Sequence, residues 1–337
     1  MKSDEYRVKL RSAAAHLGCR ADDDAIVAAC EAASDAVVNG IDPELDPGER
    51  LVALADRFSV DIQVVRSTAE LDRIVDVLAR QGELGFAARR PRFDKDLLAA
   101  VMRRKARHPG ERVFVAVIDA RGTKEPMAFF SKTHEVAHPM LEPQLAFDFR
   151  EEVGHRDPWE ALVDRVGAAI VFRGPTWTQA VNGIVCREPN FTIASLRELC
   201  DSAVNEASLT ATALAAANTL RRALLVVVAD HLPSKRDPVP TLRLARVIPN
   251  QRAAEGGVFL HERRRVPVTS PISRALATGR AQHGFENLSQ WVDSGGRGLD
   301  PRQVWTAAMP LAVGSVYGLI ELDPNQHLHR AANRPGR

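Results

Sequence analysis

Ala128-Phe129-Phe130-Ser131-Lys132-Thr133-His134-Glu135-Val136-Ala137-His138-Pro139 is the stretch on which the reading of this chain turns. On a helix, two histidines four residues apart share one face, so both imidazoles point the same way. Zinc takes such nitrogens at about 2.0–2.1 Å; a catalytic zinc site adds a third protein ligand and keeps one position open. Glu135 is displaced around the helix, where a carboxylate takes a proton from an activated water and later returns it to a leaving amine. Phe130 stands one turn before His134, so the ligand face continues an apolar one. Histidines and a glutamate on a buried face need a chemical reason to be there. His134 and His138 are therefore candidate metal ligands and Glu135 the candidate catalytic base. Pro139 is expected to end or bend the helix.

The third ligand must come from elsewhere. Leu141 and Gln144 stand where a Gly and a third His would extend the motif, so that arrangement is excluded. Downstream, Glu151, Glu152, His155, Asp157 and Glu160 all remain open. Glu160 has a physical attraction: it opens a helix of small residues, Trp159 to Ile170, in which Gly167 and Ala168 allow close approach to a neighbour.

Before the motif, apolar residues at helical spacing predict two helices over 6–40, closed by breakers from Gly40 to Gly48. A helix over Glu49–Phe58, a strand over Val60–Val65, a helix over Thr68–Gln81 and a buried strand over Val113–Ile118 follow. The basic run Arg103-Arg104-Lys105-Ala106-Arg107-His108 reads as a solvated helix end. Helices are expected at about 126–138, 157–172, 195–203 and 208–222. From Ala223 the period changes to that of strands, at 224–229, 242–248, 257–260 and 316–322.

The chain has 337 residues, 45% of them hydrophobic, which suits a soluble multidomain protein; its formal net charge of +2 says little about partners. Cys19, Cys30, Cys186 and Cys200 form no C-x-x-C pair, as expected in a reducing compartment. The N-terminus carries no apolar signal core and no segment is long enough for a bilayer, so a cytoplasmic protein without membrane contact is expected.

Phe129 to His138, followed by Glu160-Ala161-Leu162-Val163-Asp164-Arg165-Val166-Gly167-Ala168-Ala169-Ile170-Val171-Phe172-Arg173, resembles the paired segments of the ImmA/IrrE metallopeptidase family. The resemblance selects Glu160 as third ligand. It departs at Asp164, where the family has Asn, at Phe172-Arg173, where it has Met-Pro, and at Pro139. Residues 196–214 are similar to the helix-turn-helix-like segment of the radiation-response members, with Ser208 as an N-cap. That segment has no Arg or Lys where a recognition helix meets bases, so packing and substrate docking are expected of it and direct DNA contact is not. Pro271–Arg280 and Met309–Leu322 are similar to a GAF-like sensor module.

The resemblance implies an α+β protein. A mainly helical, zincin-like metallopeptidase domain (47–190) would follow a helical extension (1–46). A helix-turn-helix-like segment (191–222), a GAF-like α+β domain (223–323) and a disordered tail (324–337) would complete the chain. It further implies a zinc endopeptidase, with manganese as the alternative metal, that cleaves a helix-turn-helix transcriptional repressor to switch on a stress or DNA-damage response. A small-molecule or signal ligand would belong to the C-terminal domain. The alternative is a non-proteolytic, ligand-sensing transcriptional regulator that keeps the peptidase fold. Glu135 weighs against it, because a structural zinc site closes with a fourth ligand and needs no base.

Overall fold

The computed structural model describes residues 4–104, 111–143, 147–151, 157–204, 206–233, 239–256, 260–292, 297–311 and 314–322. The chain is α+β and divides into two compact units, Met1–Thr178 with Ser202–Ser208, and Gln179–Asp201 with Leu209–Arg337.

The first unit begins with three helices, α1 (Asp4–Leu17), α2 (Asp23–Asn39) and α3 (Pro47–Arg57). Their starts are written in the sequence. The Asp22 side chain accepts from the Ala25 N–H, and Asp46 and Glu49 form a reciprocal capping box that spans Pro47 at the first helical position. There follow β1 (Val60–Val65), α4 (Thr68–Arg80), α5 (Leu84–Phe93), β2 (Leu97–Arg103) and β3 (Phe114–Asp119). A 3₁₀ turn (Gly122–Met127) then leads into α6 (Ala128–Leu141), and β4 (Phe147–Glu151) and α7 (Pro158–Val171) come next.

The sheet order is β1-β3-β2-β4, with β1 parallel to β3 and the other pairs antiparallel. Leu97 to Met102 and Phe114 to Ile118 are buried throughout, as strands must be when both sheet faces are covered. Leu71, Val75, Leu78, Phe86 and Phe93 of α4 and α5 pack with Ala100, Met102, Val115 and Val117 on one face. Helix α6 packs across β1, β2 and β3 and also along α7, which in turn meets α1, α2 and α3. The metal motif therefore lies on a central helix and not at the surface.

Two expectations are corrected in this unit, and three elements appear where none was expected. Pro139 does not end α6, which runs on to Leu141. The proline forfeits one ladder bond, a cost of about 3 kcal/mol. Burial of Met140 and Leu141, at about 1.5–3 kcal/mol each, outweighs it. The Glu142 N–H closes the last turn on the His138 carbonyl at 2.7 Å. Second, Arg103 ends a strand, paired with Phe114, and not a helix; Arg104 pairs with Asp61 and Glu111. Residues 105–108 of that basic run lie outside the described residues. The elements α5, β2 and β4 lie where no element was expected.

In the second unit the end of α8 (Pro175–Arg187), most of α9 (Ile193–Ala203) and α10 (Leu209–Thr219) precede β5 (Leu224–Leu232), β6 (Thr241–Pro249) and α11 (Gln251–Glu255). They are followed by α12 (Pro271–Thr278), β7 (Gln282–Asn287), β8 (Gln303–Pro310) and β9 (Val316–Glu321). The five strands form an antiparallel sheet in the order β6-β5-β9-β8-β7. Ile272 of α12 presses on Gly318 of β9, where a Cβ would come within 3.1 Å of its Cδ1. Tyr317, one residue earlier and so on the opposite face, takes a hydrogen bond from Thr210 of α10. Helix α10 has no exposed residue from Leu209 to Ala217. It ends at Thr219, before the expected Arg222, whose buried guanidinium instead donates to Glu321 of β9 and to the Pro189 carbonyl. The helix α8 and strands β7 and β8 were not expected. Residues 257–259 of the strand expected at 257–260, and the tail expected to be disordered, lie outside the described residues.

Candidate metal centre

Burial and helix packing assemble the site. His134, Glu135 and His138 are 0–1% exposed. Phe129, earlier on α6, packs edge-on against Phe172 at the end of α7. The close approach of α6 and α7 depends on Gly167: a Cβ there would stand 2.9 Å from the Thr133 carbonyl oxygen and 3.2 Å from the His134 nitrogen. That contact is closer than any side chain tolerates, and it brings the first turn of α7 alongside the histidines. The first turn is itself fixed. Asp157 caps it by accepting from the Trp159 N–H at 2.9 Å, and the buried Trp159 indole donates to Glu142 at 3.0 Å.

Three ligand atoms converge as a result. Glu160 Oε2 lies 3.0 Å from His134 Nε2 and 3.7 Å from His138 Nε2, and the two nitrogens are 3.1 Å apart. A triangle with these edges has a circumradius of about 1.9 Å, so a point about 2.05 Å from all three atoms lies roughly 0.7 Å off their plane. A tetrahedral zinc with bonds of that length occupies such a point. The donor set, two imidazoles and one carboxylate, also suits zinc better than magnesium or calcium. The residues present fit the metal.

Asp164 completes the arrangement. Its Oδ1 is 2.8 Å from His134 Nδ1, which turns Nε2 of that ring toward the convergence point. The sequence reading noted Asp164 only as a departure from a resembled pattern. Its signal was the spacing: Glu160 and Asp164 are four residues apart and share a helix face. The cluster is closed on the α6 side and open on the α7 side, where the side chains of Glu160 and Asp164 are 27% and 40% exposed.

Electrostatics reflect this crowding. Burial is the largest influence on His134 and disfavours its charged form, but Asp164 and Glu160, with Glu135 adding, outweigh it and hold the imidazole at about 10. Against the same opposing burial, Glu160 and Glu135 raise His138. Burial also disfavours the Glu160 carboxylate, yet the two imidazoles hold its carboxyl well below the usual range. A cation is strongly favoured at this point, whether it is a proton shared among the imidazoles or a metal that displaces it.

Of the other third-ligand candidates, Asp157 is engaged as the α7 cap. Glu152 and His155, and the side chain of Glu151, lie outside the described residues. No other histidine, cysteine and carboxylate cluster with metal-holding geometry occurs among the described residues.

The site and fold define an α+β protein with a His-His-Glu triad fit to hold a divalent metal. No protein-family model matches the chain, and no curated protein matches its sequence. No helix among the described residues is long and apolar enough to cross a membrane.

Proposed function

We propose that the chain is a zinc-dependent, site-specific endopeptidase of the ImmA/IrrE type that cleaves a helix-turn-helix repressor. The supporting observation is the convergence of His134, His138 and Glu160 on a tetrahedral point, with Glu135 buried beside the ligands on the same helix. When bound there, zinc supplies Lewis acidity, which polarises a scissile carbonyl and lets water lose a proton near neutral pH. The Glu135 carboxylate would receive that proton as the water oxygen bonds to the scissile carbonyl carbon, and would pass it to the amine nitrogen as the peptide C–N bond breaks, leaving a carboxylate and a free amine. Asp164 holds the His134 ring in one tautomer and orientation through Nδ1. The opening beside Glu160 and Asp164 is the side from which a peptide reaches the site.

The burial of α10 supports a packing role for the helix-turn-helix-like segment, since a helix that reads DNA needs an exposed face. The antiparallel sheet with α12 on one face is compatible with a GAF-like sensor that governs access to the peptidase. The test uses purified protein, loaded with zinc or manganese, and the repressor encoded beside its gene. Cleavage at one bond is expected from the wild type and none from Glu135→Gln, which still binds zinc. Equal cleavage by the Glu135 variant would refute the mechanism, and zinc binding without cleavage would refute the substrate.

A further inference from the structure

We infer that Arg50, remote in sequence from the motif, is a positioning residue for the metal centre, acting on Glu160 through the far end of α7. The inference rests on the metal reading above. The last carbonyls of a helix lack intrahelical partners. At the end of α7 the Ile170 carbonyl accepts from Arg50 Nε at 2.6 Å and from Ser34 Oγ at 3.1 Å. The same guanidinium donates through Nη2 to Ser34 Oγ at 2.7 Å and to Asp35 Oδ1 at 2.6 Å. Arg173, just past α7, donates to Asp35 and pairs with Glu31. Gly174 then turns the chain away at φ +99°, with its Cβ direction facing Arg50 Nη1. The Arg50 side chain is 2% exposed, so its charge is held in one geometry by these acceptors. One buried cation from α3 thus joins α2 to the C-terminus of the ligand helix, where the helix dipole also favours it.

Two further contacts complete the restraint. Gly167 rests on the backbone of Thr133 and His134 in the middle of α7, and Trp159, beside Glu160, is bonded to Glu142 at the other end. With both ends and the middle fixed, α7 has no freedom to slide along α6. Sliding matters because the tolerances are unequal. One residue of slip moves Glu160 by about 1.5 Å, whereas ligand distances must hold within about 0.2 Å. The N-terminal helices therefore act as a wall that sets where the third ligand stands.

The experiment measures the zinc dissociation constant by chelator competition, together with the melting temperature, for the full chain. The variants are Arg50→Lys, Ser34→Ala and Val75→Ala; Val75 lies on α4 and packs against β2 and β3 in a cluster that includes no residue of α6. Arg50→Lys is expected to weaken zinc binding about tenfold and Ser34→Ala about threefold. Val75→Ala is expected to lower the melting temperature and leave zinc affinity unchanged. The inference is overturned if Arg50→Lys and Ser34→Ala both bind zinc within twofold of wild type, or if Val75→Ala loses as much affinity as they do. Should Arg50→Lys fail to fold, Ser34→Ala, which keeps the charge, decides. A wild type that binds no zinc overturns the metal reading itself, and is told apart because no variant then differs from it in binding.

Discussion

Each unit sets a largely enclosed glutamate among polar partners, Glu286 buried and Glu160 half-buried, and the two are built in opposite ways. In the second unit Glu286 of β7 accepts from Ser270 Oγ at 3.3 Å, from the Trp291 indole at 3.1 Å and from the Thr306 hydroxyl. The protein itself supplies the donors. Burial is still the largest influence there and raises the Glu286 carboxyl, beyond what those hydrogen bonds and Arg274 offset. In the first unit a Glu160 oxygen lies with two ring nitrogens in one cluster of ligand atoms, and its carboxyl is lowered. Burial of a carboxylate is therefore no mark of a site. Convergence of several electron-pair donors on one point is such a mark, because it leaves a place that only a cation satisfies.

The comparison is broken most severely at the first ligand. His134→Ala is expected to weaken zinc binding by more than about 100-fold, the upper range for changes outside the ligand set. Competition against a chelator measures this, and retention of wild-type affinity would remove His134 from the ligand set. Asp164→Ala is expected to fall within that range, at about 10–100-fold, with the fold intact by circular dichroism. An unchanged zinc affinity would make the Asp164 contact incidental.

Glu286→Gln sharpens the contrast from the other side and has the smallest effect. A carboxyl raised by folding contributes stability at pH below its unfolded value, and that contribution is lost as pH rises through the folded value. The wild type should therefore lose more melting temperature than Glu286→Gln as pH rises from below the ordinary glutamate value to pH 8. Zinc affinity should be untouched. A parallel pH response in the two proteins would show that Glu286 ionises as freely folded as unfolded.

How much of this was legible in the sequence depends on how local each signal is. The i, i+4 histidines and the small residue at Gly167 are local, and the helix pair they imply is present, with Gly167 at the point of closest approach. Asp164 was visible as a residue but not as a partner of His134, because the pairing needs the relative rotation of α6 and α7. Leu97-Leu98-Ala99-Ala100-Val101-Met102 has no alternation, since both its faces are buried, and its residue types suit a helix equally well; pairing with β3 and β4 makes it a strand. Gln282-His283-Gly284-Phe285-Glu286-Asn287 is too polar and glycine-broken to read as a strand, and register with β8 decides it. Of the two outcomes expected at Pro139, an end does not occur, because burial of the next two residues carries the helix past it.

The central claim, that His134, His138 and Glu160 hold one zinc, is tested most directly by zinc X-ray absorption on the purified full chain at one equivalent of metal. The account predicts a four-coordinate nitrogen and oxygen shell at about 2.0–2.1 Å. Outer scattering should indicate two imidazoles, falling to one in His138→Ala. A six-coordinate shell without imidazole scattering, or one containing sulfur, would contradict it.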